Sequence, residues 1–338
     1  MDARAQLDLL WHRGTELLGC DVAIMGGAMS WVSERHLVAA LSNAGAFGVI
    51  AASSMPPELL DREIKATQQL TKKPFGVNLI LMHPQLDALV EACIANSVTH
   101  VVLAGGMPKG PTINRLKEAG TKVIAFAPTA GIGRKLVKMG VDALIIEGME
   151  AGGHTGAVST SVLAQEILPV IREVPVFVAG GIGRGEAIVA FLEMGASGVQ
   201  LGTRFVCAAE SIAHAKFKEA FIRAAARDAT LSVQYHPDFQ VIPVRAIGNK
   251  ATDDFMRFQK ETVEKVFAGS MSKDEGQLAI EHFWAGSLRR AVIEGDVERG
   301  SLMAGQSVGM VQRIQSAQEI IDELVAQSAQ YLTKRAAA

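Results

Sequence analysis

The sequence predicts an α/β protein, a (β/α)8 barrel with a mainly helical C-terminal cap. Two observations predict the barrel. Between Asp21 and Arg204, short apolar runs rich in β-branched residues alternate with longer stretches of helical periodicity. Eight such runs occur, the number of parallel strands that closes into a barrel. A third observation weighs against an open doubly wound sheet: no early strand is followed by a dinucleotide fingerprint. The run Gly181-Ile182-Gly183-Arg184-Gly185 has the wrong spacing for one, and nothing matches a Walker A loop.

In chain order, the candidate strands are residues 22–25, 48–51, 75–80, 100–104, 122–126, 143–146, 176–179 and 198–201. The segments between them are rich in helix formers, as in 57–70, 85–95, 134–139, 161–171 and 186–194. Gly45, Gly120, Gly140 and Gly195 each stand where a helix should stop before the next strand. Beyond Arg204 the alternation ends. Residues 208–229, 253–267, 279–293 and 317–334 read as helices, and 232–249 as irregular chain. The implied organisation is a barrel over 1–206, a substrate-side helical cap over 207–315, and a C-terminal helix with a frayed tail over 316–338.

Composition narrows the function. The 33 basic and 35 acidic residues nearly balance, so no field for nucleic acid or a membrane surface is expected. Cys20, Cys93 and Cys207 are widely spaced and odd in number, which supports neither a disulfide framework nor a zinc site. The first residues include acidic ones and lack a long apolar core, unlike a signal peptide, and no apolar run reaches spanning length. A soluble cytoplasmic protein is the expectation, with a homodimer as the base-rate assembly.

The most informative stretch is Glu147-Gly148-Met149-Glu150-Ala151-Gly152-Gly153-His154-Thr155-Gly156, directly after the sixth candidate strand. Barrel active sites sit at the C-terminal ends of strands. Glycines there allow close backbone approach to a ligand, and imidazole suits proton transfer near neutral pH. His154 is therefore the catalytic candidate. Metal ligation through Glu147, Glu150 and His154 is disfavoured, because no second histidine or aspartate falls at ligand spacing. Strands seven and eight end in Ala179-Gly180-Gly181 and Gly202-Thr203, with a helix start expected at Glu186; together these read as a phosphate cradle. The same glycines also serve as tight turns in any barrel. Strand one ends in Gly26-Gly27-Ala28-Met29, where small residues admit a flat ring system. Asn78 at the end of strand three offers an amide to a ring edge, or caps its turn. Cys207 reads as a buried, inert thiol.

Several of these segments match one family. Met29-Ser30-Trp31-Val32, Lys73-Pro74-Phe75-Gly76-Val77-Asn78, the 147–156 run, Ala179-Gly180-Gly181-Ile182 and Val199-Gln200-Leu201-Gly202-Thr203-Arg204-Phe205 span nearly the whole barrel in order. In them the chain resembles the flavin-dependent family of nitronate monooxygenases (2-nitropropane dioxygenases) and enoyl-acyl-carrier-protein reductase II. The 147–154 run, with Val244-Arg245-Ala246-Ile247-Gly248-Asn249 and the 295–306 segment, resembles the reductase branch. That branch usually reads Gln-Gly-Gly-Met after strand one, where this chain has Gly26-Gly27-Ala28-Met29.

The resemblance implies an FMN across the barrel mouth. Its phosphate falls on Gly180, Gly181, Gly202 and Thr203, and its ring near Gly27, Ala28, Met29 and Asn78. Glu147, Gly152, Gly153, Ala179 and Gln200 complete the implied cofactor set. NADH or NADPH would be co-substrate, a trans-2-enoyl thioester the acceptor in fatty-acid synthesis, and His154 the group that orients or protonates it. The implied alternatives are oxidation of alkyl nitronates with FMN and oxygen and, outside enzymes, a barrel that only binds a phosphorylated ligand. The basic residues Lys216, Lys218, Arg223 and Arg227 read as a helix face able to meet an acidic carrier protein, or simply as a solvated face.

Overall fold

The computed structural model describes residues 2–239 and 241–337. Eight parallel strands form the central sheet: β1 (Ile24–Gly26), β2 (Val49–Ala51), β3 (Gly76–Ile80), β4 (His100–Ala104), β5 (Lys122–Phe126), β6 (Ala143–Glu147), β8 (Val176–Ala179) and β9 (Gly198–Leu201). A two-residue strand, β7 (Gly153–His154), lies outside it. The order β1-β9-β8-β6-β5-β4-β3-β2 closes through a parallel bridge between Met25 and Phe47, where the Gly26 N–H donates to Phe47 O at 2.8 Å. The sheet is a barrel, as the alternation predicts.

Helices α1 (Ala3–Leu10) and α2 (His12–Leu18) precede the barrel. The outer layer is α3 (Arg35–Asn43), α4 (Pro57–Leu70), α5 (Leu86–Ala95), α6 (Gly110–Glu118), α7 (Ala130–Lys138), α8 (Thr160–Ile167) and α9 (Gly185–Glu193). Proline at the first position of α4 costs nothing there, because that N–H has no intrahelical partner. The stops expected at Gly45, Gly120, Gly140 and Gly195 all lie in left-handed backbone, with φ of +82°, +80°, +90° and +108°. Strand residues such as Val101, Ile124, Ile145 and Val178 are buried between barrel interior and helices. Burial on both faces explains why these strands read as continuous apolar runs.

The cap departs from its expected form. Short helix α10 (Thr203–Val206) leads from β9 into it, and it is mainly helical, with α11 (Ala215–Arg223), α12 (Lys250–Phe267) and α13 (Lys273–Glu294). It also holds a small sheet of β10 (Ala229–Leu231), β11 (Val244–Ile247) and β12 (Leu302–Met303), with β7 added on β11. The helix expected over 208–229 is thus shorter, and the irregular 232–249 stretch contains a strand, apart from Gln240, which lies outside the described residues. These strands are two to four residues long and pair across large sequence separations, so no local period announces them. Ser272 and Glu275 form a capping box that starts α13, through bonds of 3.2 Å and 2.8 Å. Phe239, Phe255, Ile280 and Trp284 make a separate cap core, and Met303 packs against both it and the barrel core.

Helix α14 (Ala317–Ala336) returns to the barrel and packs on α9, α1 and α3. It extends through most of the expected frayed tail; Ala338 lies outside the described residues. Buried Arg204 ties it down by donating to Glu323 at 2.9 Å and Gln315 at 3.3 Å. Among the described residues no helix is long and apolar enough to cross a membrane.

The α9–α14 contact runs through Gly185. Its N–H donates to Gln327 Oε1 at 2.9 Å, its carbonyl accepts from Ser328 Oγ at 3.1 Å, and a Cβ there would sit 2.4 Å from backbone atoms of Leu324 and Ser328. Backbone cannot yield as a flexible side chain can. Gly185→Ala is expected to lower unfolding stability by about 1–3 kcal/mol, measured by urea denaturation; an unchanged midpoint would show that the two helices part at no cost.

Candidate active site

The strand register builds a row of side chains at the C-terminal mouth of the barrel. Glu147 on β6 is level with Ala179 on β8, Ala179 with Gln200 on β9, and Gln200 with Met25 on β1. Residues level across parallel strands share one face of the sheet. A Cβ on Gly27 would lie 3.4 Å from Gln200 Cγ, so Gln200 stands under the β1 exit. Gln200 is buried, yet its amide has no hydrogen-bond partner among the described residues. Neither has the Glu147 carboxyl, which burial pushes up to about 7. Two polar groups without hydrogen-bond partners among the described residues thus stand in one row, with their bonding capacity open to a polar ligand.

The remaining mouth residues divide among three loops. On β3, Asn78 is buried and donates from Nδ2 to Val102 O at 3.2 Å, which leaves its carbonyl oxygen free to accept. At the β1 exit, Ser33 braces the turn: its hydroxyl donates to Gly27 O and accepts from the Met29 N–H, both at 3.0 Å. The Met29 sulfur reaches 3.5 Å from where a Cβ of Gly202 would be, so the β1 and β9 exits touch; Ala28 lies between Gly27 and Met29 in the β1 exit. Trp31, one turn on, has φ of +66°, a strained value for so bulky a residue, and a buried indole N–H with no partner among the described residues.

Gly180 and Gly181 follow β8 with φ of +97° and +73°, conformations that a side chain would strain. Gly202 precedes α10, and the Thr203 hydroxyl accepts from the Gly305 N–H at 2.9 Å. These four residues come together at adjacent strand exits. The α9 start expected to help at Glu186 does not stand open, because Gln327 of α14 takes the Gly185 N–H and Glu186 pairs with Arg184 at 2.7 Å.

The glycine-rich loop after β6 is held at four points. Glu150 Oε2 accepts from Thr160 N and Oγ1, each at 2.9 Å, so this carboxylate is a loop brace. Gly152 lies against Gly305, where a Cβ would come within 2.6 Å of Gly305 N. Gly153 and His154 pair with Arg245 and Val244 of β11. The buried Arg245 guanidinium donates to Met149 O at 2.8 Å and to Ala229 O. His154 Nε2 then lies 3.2 Å from Glu281 Oε2 of α13.

Three of these participants escape a reading of the sequence: Arg245, Glu281 and Arg289, whose guanidinium lies 5.7 Å over the Trp31 ring. Glu281 and Arg289 act across more than a hundred residues of chain from a helix without a motif, and Arg245 acts across 96 residues from a short strand; only the cap segment around Arg245 carried any signal. Cys207 is buried, with its thiol pushed up to about 11 by burial. The basic helix face is corrected: Lys218 is buried and donates to Ala208 O and Ser211 O at 2.7 Å and 2.8 Å, while Lys216, Arg223 and Arg227 are exposed. Its carbonyl partners fix the loop before α11, so it takes no part in a surface charge.

A family model described as nitronate monooxygenase matches residues 12–92 and 84–327. The (3aS,4S,5R,7aS)-5-hydroxy-7a-methyl-1-oxo-octahydro-1H-indene-4-carboxyl-CoA dehydrogenase of Rhodococcus jostii (strain RHA1) is 31% identical over 333 residues, covering 92% of this chain and 94% of that protein. FabK from Thermotoga maritima superposes with a TM-score of 0.84 at 37% identity, covering 96% of this chain and 98% of that one. A nitroalkane oxidase from Streptomyces ansochromogenes superposes with a TM-score of 0.78 at 26% identity, covering 95% and 99%.

The Glu147 environment predicts a pH effect on the ligand-free protein. Its carboxyl, raised from 4.5 to about 7, keeps a proton in the folded state that the unfolded chain has already lost. Stability should therefore fall as pH rises from about 4.5 to about 7, by roughly 3 kcal/mol at most, and level off above. Urea unfolding of wild type and Glu147→Gln between pH 5 and 8 checks this. The variant should lack that component of the decline; parallel curves would mean that Glu147 ionises freely.

Proposed function

The chain belongs to the nitronate monooxygenase family of flavin-dependent oxidoreductases, and on that premise we propose that it is an FMN-dependent reductase of 2-enoyl thioesters. The observation that carries the thioester reading is the likeness to FabK, of the enoyl-acyl-carrier-protein reductase II branch, along nearly the whole of both chains and so through the cap as well as the barrel. The relative named as a carboxyl-CoA dehydrogenase points to the same substrate class, an acyl thioester.

The mouth suits an FMN. The partnerless Gln200 amide and the Glu147 carboxyl offer a donor and acceptor row to a polar ring or ribityl chain. Gly27, Ala28 and Met29 follow β1 and Asn78 lies on β3, while Ala179 ends β8 and Gly152 and Gly153 follow β6. Gly180, Gly181, Gly202 and Thr203 present backbone at adjacent strand exits, where (β/α)8 barrels bind phosphate. Bound there, FMN supplies hydride carriage from NADH or NADPH to the β-carbon of the thioester.

The protein's own contribution is position and one proton. His154, on a strand fixed by Gly152 and Arg245, orients the thioester carbonyl or donates the proton that the α-carbon takes. A second reading, nitronate oxidation, is favoured by the likeness to nitroalkane oxidase, which also spans nearly the full chain. The same histidine would then face a small anion.

Anaerobic stopped-flow spectroscopy of the flavin separates the two. NADH or NADPH is expected to bleach it and crotonyl or longer enoyl thioesters to restore it. His154→Ala should slow restoration about 10²-fold and leave bleaching intact. A flavin that NAD(P)H leaves oxidised but propyl nitronate reduces would establish the second reading instead.

A further inference from the structure

Helix α13 contacts two exits of the barrel that lie far apart. Strand β6 is three neighbours from β1 around the eight-stranded ring, close to the opposite side. Glu281 of α13 meets His154 beyond β6, and Arg289 of the same helix meets Trp31 beyond β1. Eight residues separate the two contacts, about 12 Å along a helix axis and just over two turns, so both come from one side of α13. The helix is anchored in two cores: Ile280 and Trp284 pack in the cap, and Leu288, Ala291 and Val292 in the barrel. It is a rigid strap along the rim of the mouth, which fixes where Glu281 stands.

The ion pair has no evident role in stability. Its side chains are 39% and 35% exposed, and pairs so open to water contribute about 1 kcal/mol or less. Its geometry is more informative. Imidazole has two nitrogens, and an acceptor on one fixes both ring orientation and the place of the proton. Backbone pairing already fixes the His154 Cα through Val244, so one contact at Nε2 suffices to fix the ring. Around His154, the other charged groups are engaged elsewhere: Arg245 on β11 with Met149 O and Ala229 O, and Glu150 with Thr160.

We propose that Glu281 is the positioning residue of His154, accepting the Nε2 proton so that Nδ1 faces substrate; in the doubly protonated ring Nδ1–H is the group that orients the thioester carbonyl or gives the proton the α-carbon takes, and solvent returns it. The carboxylate touches no reacting atom. The inference rests on the reading of His154 as the substrate-side histidine and extends it to the cap, which thereby takes part in the acyl half-reaction.

A double-mutant cycle on the flavin-loaded enzyme tests it, with Glu281→Gln, His154→Ala and the pair, each followed by anaerobic stopped-flow. Glu281→Gln keeps size and helix propensity, so the fold is retained. It should slow flavin reoxidation by crotonyl thioester about tenfold and leave reduction by NAD(P)H unchanged. In the His154→Ala background the same substitution should change nothing further. Reoxidation at the wild-type rate in Glu281→Gln, or an equal slowing with and without His154, would overturn the proposal. Failure of the thioester reading looks different, because wild type itself would not be reoxidised. The cycle is then run with propyl nitronate, where additivity of the two substitutions would still refute the role of Glu281.

Discussion

The close approach of Gly152 to Gly305 is the constraint on which the rest of the site depends. Backbone meets backbone there, with no room for a Cβ on Gly152 beside Gly305 N or on Gly305 beside Glu150 O. The approach aligns two hydrogen bonds that join three segments: the Gly305 N–H reaches Thr203 beyond β9, and the Gln306 N–H reaches Glu150 O beyond β6 at 2.9 Å. The cap segment after β12 is thereby stitched to two strand exits at once. With the loop held, β7 can pair with β11, and the histidine it carries becomes part of a sheet instead of a free loop.

Around that stitch the barrel and cap divide the work. Ala179 and Gln200, from adjacent strands, and Glu147 beside them supply a row of fixed height, since parallel register leaves no freedom of level. The cap supplies the groups that reach over it, Arg245 from a strand and Glu281 and Arg289 from a helix. Met303, packed against both cores, marks the seam.

Much of the fold is legible in the chain. Helix α4 is 57–70 in both readings, the strands agree to within two residues, and the four glycine stops stand where left-handed backbone ends a helix. Apolar runs buried on both faces and helices with one buried face differ in period, and period is a local property. The cap sheet was not legible, because two-residue strands such as β7 and β12 have no period at all. Lys218 illustrates the same limit. In sequence it belongs to a basic helix face, whereas the fold turns its ammonium inward to two backbone carbonyls.

The sequence by itself determined the barrel, the order of its strands, and the glycine-rich strand exits with the histidine that follows β6, since each is written in residues next to one another. Tertiary structure alone decided what those residues meet. That Glu147 and Gln200 share a row, that Arg245 clamps the loop, that Gln327 closes the start of α9, and that Glu281 stands at His154 are facts of packing between distant segments. The physical reason is range. Propensity and periodicity act over a few residues, whereas hydrogen bonds and burial act between whatever the folded chain brings within a few ångströms.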